Sequence, residues 1–259
     1  MIELSPVMVV TGGGRGIGRQ VALNAAAESF RVVVADVDQV AARAVEDEIR
    51  AAGGSARTIA VDMREVESVR GVVDDVMARD GRLDVLVNNA AMTRGIDFFD
   101  VEVDDWDAFF EVNARGAFFA MQFAARHMTA AGRGSIVNVA SIAGKGWPGT
   151  SNIAYAGTKG ALVAMTRVAA ARLGADGVRV NAVCPGVTET ALMRDLLESR
   201  ARDGRGSVEH QRSAMAGLAS LTRITQPDDV AEAVLFLATD RSAGITGQSL
   251  NVDSGIMWD

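Results

Sequence analysis

Tyr155 and Lys159 are the residues whose types and spacing most directly suggest chemistry. Tyr155 is the only tyrosine of the chain. Lys159 and Lys145 are its only lysines, and arginine supplies the remaining positive side chains. Residues four apart share one face of a helix, so a phenol and an ammonium can meet. A free tyrosine titrates at about 10. A nearby cation favours the phenolate and brings a proton carrier closer to working pH. Arginine cannot release its proton near neutral pH and its fork differs in shape from an ammonium. A lysine retained in an arginine-rich chain is therefore informative. Upstream, Ser141 closes the apolar run Ile136–Ala140 and offers a hydroxyl that could hold a substrate oxygen. Taken alone, the tyrosine and lysine read equally well as an ordinary helix pair, so the rest of the chain must decide.

The second constellation is Thr11-Gly-Gly-Gly-Arg-Gly-Ile-Gly18, which follows the apolar run from Val7 and precedes a helical stretch. Glycine lets the backbone turn tightly and approach a pyrophosphate. The following helix start offers free N–H groups and a partial positive charge. A glycine cluster between a strand and a helix is the context that dinucleotide binding requires. Asp36 ends the next strand, where a carboxylate can accept hydrogen bonds from an adenosine ribose and repels a 2′-phosphate. Arg15 pulls the other way, since a cation in the loop could pair with that phosphate. The balance favours NAD over NADP.

These residues need a scaffold. Short β-branched runs near 7–11, 31–35, 56–61, 83–88, 135–140, 178–184 and 248–252 alternate with helical stretches near 16–28, 38–52, 65–80, 104–131, 155–174, 190–220 and 227–239. Strands that are apolar throughout need cover on both faces. The alternation predicts an α/β fold, a doubly wound parallel sheet of about seven strands in one domain over residues 1–259. No linker or repeat divides the chain. The segment 190–223 is long for a connection and reads as a substrate lid, with a break expected at Asp203-Gly-Arg-Gly206. Arg194, Arg200, Arg202, Arg205 and Arg212 fall in it, interleaved with Asp195, Glu198, Asp203 and Glu209. That pattern fits a solvated helix better than an anion site.

Composition narrows the function classes. The 259 residues carry a formal charge of -7, which argues against a nucleic-acid binder. One cysteine, Cys184, excludes an internal disulfide, and with only His127 and His210 beside it a dedicated transition-metal site is not expected. Cys184 lies in an apolar run and reads as a buried structural thiol. No signal-peptide pattern or membrane span is evident, which fits a cytoplasmic protein.

With these residues in view, the sequence resembles a single-domain short-chain dehydrogenase/reductase over essentially its whole length. Gly12, Gly16 and Gly18 match the family's glycine motif, and Asn88-Asn-Ala90 its motif after the fourth strand. Asp62 matches the adenine-contacting aspartate. Asn113, Ser141, Tyr155 and Lys159 match the catalytic tetrad, and Pro185-Gly186 with Val187-Thr-Glu-Thr190 matches the loop that meets the nicotinamide. The resemblance implies that Tyr155 is the acid in ketone reduction and the base in alcohol oxidation. It implies that Lys159 binds the nicotinamide ribose and lowers the tyrosine pKa, that Ser141 orients the substrate oxygen, and that Asn113 holds a water in a proton relay. Val187, Thr188 and Thr190 would position the carboxamide. The dinucleotide set is then Gly12, Arg15, Gly16, Ile17, Gly18, Asp36, Asp62, Met63, Asn89, Ala90, Tyr155, Lys159, Pro185, Gly186, Thr188 and Thr190. The family also implies a homotetramer built through its long central helices. Two positions depart from the common pattern: a longer loop with Trp147-Pro148 between Ser141 and Tyr155, and Ser254 where the family usually carries glycine.

The expected activity is hydride transfer between NAD(H) and a secondary alcohol or ketone. An NADP-dependent 3-oxoacyl-thioester reductase is the alternative. A non-catalytic nucleotide sensor would have no need for the full Ser, Tyr and Lys set. A sugar-nucleotide epimerase or dehydratase would show another glycine spacing and a large C-terminal substrate domain. Polyols, sugars and acyl thioesters all remain open as substrates, because this scaffold does not select among them.

Overall fold

The computed structural model describes residues 5–202, 204 and 206–258. Among them, seven strands form one parallel sheet: β1 (Val7–Thr11), β2 (Arg31–Asp36), β3 (Ser55–Ala60), β4 (Val85–Asn88), β5 (Gly134–Val139), β6 (Val178–Pro185) and β7 (Ser249–Val252). Their order is β3-β2-β1-β4-β5-β6-β7. Among the described residues nine α-helices complete the layers: α1 (Gly16–Ala27), α2 (Gln39–Ala51), α3 (Val66–Asp80), α4 (Val103–Phe110), α5 (Ala117–Ala131), α6 (Ile153–Leu173), α7 (Ala191–Arg202), α8 (Val208–Leu218) and α9 (Pro227–Ala238).

The sheet is buried on both sides for a reason visible in β1, all five of whose residues are buried. Successive side chains of a strand point to opposite faces. Met8 and Val10 therefore join Val32 and Val34 in a core with Val21, Val45 and Val234 of α1, α2 and α9. Val7 and Val9 join Val33 in the opposite core with Val72, Ala124 and Ala170 of α3, α5 and α6. β1 pairs with β2 on one side and β4 on the other. The chain's winding reverses between them, and in sheets of this kind ligands bind in the crevice beyond the strand ends at that reversal.

Two helical expectations gain detail. The stretch 104–131 is helical throughout, with a π turn, Glu111–Gly116, between α4 and α5. The stretch 190–220 divides into α7 and α8, in keeping with the expected break. Gly204 and Gly206 lie between them in left-handed conformations, while Asp203 and Arg205 fall outside the described residues. Ser254 adopts φ +57°, a conformation that favours glycine. Its hydroxyl hydrogen-bonds that of Thr225 at 2.9 Å.

Candidate active site

The glycine loop joins β1 to α1 at the reversal. Gly12 has φ +64°, and a Cβ there would lie 2.7 Å from the Ala90 Cα. A Cβ on Gly18 would be driven into the Gly12 carbonyl oxygen. The loop is pinned from β4: Asn89 Nδ2 donates to the carbonyls of Thr11 and Gly12 at 3.0 and 2.9 Å. The backbone N–H groups of Asn89 and Ala90 both donate to the Thr11 hydroxyl. The start of α1 has no side-chain cap, whereas Asp38, Asn152 and Ser207 cap α2, α6 and α8. The first N–H groups of α1 stay available to an anion, which the helix dipole favours.

Asp36, at the end of β2, is buried. Its carboxylate accepts from the Gly14 N–H at 2.8 Å and the Asp38 N–H at 2.9 Å, leaving further lone pairs for a hydroxyl. Arg15 forms an ion pair with Asp38. Asp62 pairs with Arg64 at 2.6 Å, and hydrogen bonds from that guanidinium hold the Asp62 carboxyl below its usual range.

Ser141 follows β5 and caps a short 3-10 turn, its Oγ accepting from the Ala143 N–H at 3.1 Å. Tyr155 and Lys159 lie in the first two turns of α6. Lys159 is buried, and its Nζ donates to the Val139 carbonyl at 2.7 Å. That Nζ stands 5.8 Å from the centroid of the Tyr155 ring. Burial pushes the ammonium down to about 8. The same cause pushes the Tyr155 phenol up to about 12, against a hydrogen bond with Ser141 that favours the phenolate. At Tyr155 burial outweighs that hydrogen bond. Removing both side chains from water disfavours the charged form of each.

Asn113 lies buried in the π turn. Its Oδ1 accepts from the Met92 N–H at 2.8 Å, and its Nδ2 donates to the Met92 carbonyl at 2.9 Å and the Thr158 hydroxyl at 3.2 Å. With three partners, this amide serves to fasten the loop after β4 to α6, and it does not line the cleft. The same loop is held from the other side by Asn152, a residue that sequence reasoning missed. Asn152 Nδ2 donates to Thr93 Oγ1 at 3.1 Å and to the Arg94 carbonyl at 2.8 Å. Its Oδ1 accepts from the Tyr155 N–H at 2.7 Å and so caps α6. An asparagine three residues before the tyrosine was the available signal, since Asn is among the preferred helix caps.

The loop after β6 brings Pro185, Gly186, Val187, Thr188 and Thr190 to the cleft. Thr225 holds it: the Thr225 N–H donates to the Val187 carbonyl, and the Thr225 carbonyl accepts from Glu189. The Thr190 hydroxyl accepts from the Met193 N–H at 3.2 Å and starts α7.

One cavity of about 710 Å³ unites these parts. Gly12, Arg15, Gly16, Ile17, Asp36, Asp62, Met63, Asn89 and Ala90 line it together with Ser141, Tyr155, Lys159 and the loop after β6. Gly18, Asn88 and Asn113 do not line it. Gly18 supports the turn. Asn88, buried in the sheet, donates to the Ala117 carbonyl and to Asn138. Cys184 is a buried thiol, and among the described residues no helix is long and apolar enough to cross a membrane.

Comparison with known proteins bears on this arrangement. A family model described as enoyl-(acyl carrier protein) reductase matches residues 12–257. The short-chain reductase protein NovJ of Streptomyces niveus is 38% identical over 254 residues, 98% of this chain and 95% of NovJ. The 3-oxoacyl-(acyl-carrier-protein) reductase FabG of Thermotoga maritima is 34% identical over 252 residues, 97% of each chain. A crystal structure of a variant actinorhodin polyketide ketoreductase with NADPH matches with a TM-score of 0.92 at 32% identity and covers 97% of both chains.

Proposed function

This chain belongs to the short-chain dehydrogenase/reductase family of oxidoreductases, and from that premise we propose that it moves a hydride between NAD(H) and a secondary alcohol or its ketone, with Tyr155 carrying the proton. The observation that carries the proposal is the meeting of Ser141, Tyr155 and Lys159 with the glycine cradle in one cavity.

The residues fit a nicotinamide dinucleotide. Gly12 and Gly18 keep open a turn that a Cβ would fill, and the uncapped start of α1 suits a pyrophosphate. When bound there, the nicotinamide would supply or accept the hydride. In ketone reduction Tyr155, held protonated by burial, donates its proton to the substrate oxygen while the Ser141 hydroxyl hydrogen-bonds the same atom. Lys159 has spent one N–H on Val139 and keeps two for the nicotinamide ribose and the phenol. In alcohol oxidation the phenolate takes the proton back, and the Lys159 ammonium stabilises that charge. Asn113 acts through the position of Met92 and Thr158. Thr188 and Thr190, in the loop after β6, would hold the carboxamide.

Preference for NAD rests on the carboxylates of Asp36 and Asp38 at the adenosine end, with Arg15 engaged by Asp38. The second reading, an NADP-dependent 3-oxoacyl-thioester reductase, is favoured by the FabG relative and by the ketoreductase whose structure holds NADPH. Comparing kcat/KM for NADH and NADPH on one ketone separates the two. The segment 190–223 would act as the lid over the substrate. Exposed apolar side chains on α4 and α6, Val103 and Val168 among them, support a homotetramer, which a monomer by light scattering would refute. A cytoplasmic site of action fits the single buried thiol.

A further inference from the structure

The cavity divides at the point where the sheet's winding reverses. The ends of β1, β2 and β3 line one half, and all the carboxylates of the described lining, Asp36, Asp38 and Asp62, stand there. The other half is walled by the segments that follow β4, β5 and β6, and its character differs sharply. Met92 comes from the first, Trp147 from the second, and Met193, Leu196 and Met215 from α7 and α8. Three thioethers and an indole from separate parts of the chain thus line the same half of the cavity.

The indole has a place prepared for it. A Cβ on Gly149 would be driven into the six-membered ring of Trp147, so the backbone at Gly149 packs close against that ring. Several hydroxyls of this wall already have partners within the chain. The hydroxyls of Thr93 and Ser151 hydrogen-bond one another at 2.6 Å, and Thr150 Oγ1 donates to the Asn152 carbonyl. Arg200, near the end of α7, is the wall's charged member besides Lys159. A polyhydroxylated substrate would exchange water for thioether and indole and leave its hydroxyls unpaired, which is costly in a buried site. Thioethers interact favourably with aromatic rings, and aromatic side chains stack with them.

We propose that the substrate is a ketone, or the matching alcohol, whose reacting carbon carries a flat aromatic group that lies between Trp147 and the sulfurs of Met92, Met193 and Met215. The inference rests on the oxidoreductase reading of the same site and specifies which substrates it takes.

The test is a panel of 1-tetralone, dihydroxyacetone, 2-butanone and an acetoacetyl thioester, reduced with saturating NADH and again with NADPH. The aryl ketone is expected to show a kcat/KM at least about tenfold above each of the others. Met92→Gln, at an exposed position where folding is not at stake, is expected to lower the preference for 1-tetralone over 2-butanone by about two- to tenfold. Calorimetric titration with 1-tetralol in the presence of NAD should show the same loss of affinity in the variant. Faster turnover of dihydroxyacetone or of the thioester, or an unchanged preference in Met92→Gln, would overturn this inference and leave the hydride-transfer reading standing. No reduction of any ketone with either nucleotide would overturn both.

Discussion

Asn152 accepts the Tyr155 N–H at 2.7 Å and, with its other amide atom, donates to Thr93 Oγ1 and the Arg94 carbonyl. One buried side chain thereby sets the start of α6, which carries the tyrosine and lysine, against the loop that forms part of the substrate wall.

The two ends of the Asn152 amide can be separated. Asn152→Asp keeps the cap acceptor and loses both donors, whereas Asn152→Ala loses all three bonds. The alanine variant should lose about 1–3 kcal/mol of stability by denaturant titration. The aspartate variant should retain more of that stability yet show a raised KM, because the loop at Thr93 is released. Equal stability losses with unchanged KM would remove Asn152 from the positioning of the site.

Lys159 and Tyr155 give stability opposite slopes with pH. Lys159 titrates near 10.5 when free and at about 8 in the folded chain. Between those values the unfolded chain binds more protons, so stability rises with pH across that window. Tyr155 moves from 10.0 to about 12. There the folded chain binds more protons, and stability falls as pH rises from the first value to the second. Denaturation of wild type and Lys159→Met should diverge as pH rises from about 8 to about 10, with wild type gaining on the variant. Parallel curves would show that the ammonium carries no burial cost.

Gly18→Ala should abolish dinucleotide binding, since the added methyl meets the Gly12 carbonyl oxygen. Circular dichroism separates loss of binding from loss of fold. Undiminished affinity for both nucleotides in a folded Gly18→Ala would contradict the placement of the pyrophosphate.

At the adenosine end, Asp36→Asn should weaken NADH more than NADPH and narrow the ratio of their kcat/KM values. Loss of the charge removes repulsion toward a 2′-phosphate, and the amide still offers one acceptor oxygen to the Gly14 N–H or the Asp38 N–H. An unchanged ratio would place the discrimination elsewhere, at Arg15 or Arg64.

Much of this was legible in the chain because it depends on local rules. Alternating β-branched runs such as Val7–Thr11 announce buried strands, and the glycines between a strand and a helix announce their turn. Ser141, Tyr155 and Lys159 were found by residue type and spacing, and they meet in the cavity as expected. What was hidden depends on contacts distant in sequence. Asn113 lies 21 positions from Met92, and the π turn that carries it leaves no mark in the apolar period of 104–131. Asn152 looked like a loop residue until its partners Thr93 and Arg94 were known, and it caps α6 three residues before the tyrosine. Spacing reveals a cation near Tyr155 but not the loss of water around both groups. Trp147 gave no sign of its place on the Gly149 backbone.

The central claim is that Tyr155 moves the proton while a bound dinucleotide exchanges the hydride. Its most direct test is Tyr155→Phe, assayed for ketone reduction and, in parallel, for NADH affinity by fluorescence. Turnover should fall on the order of a hundred- to ten-thousand-fold, with affinity changed by no more than about threefold. Turnover within about twofold of wild type, with NADH still bound, would contradict the account.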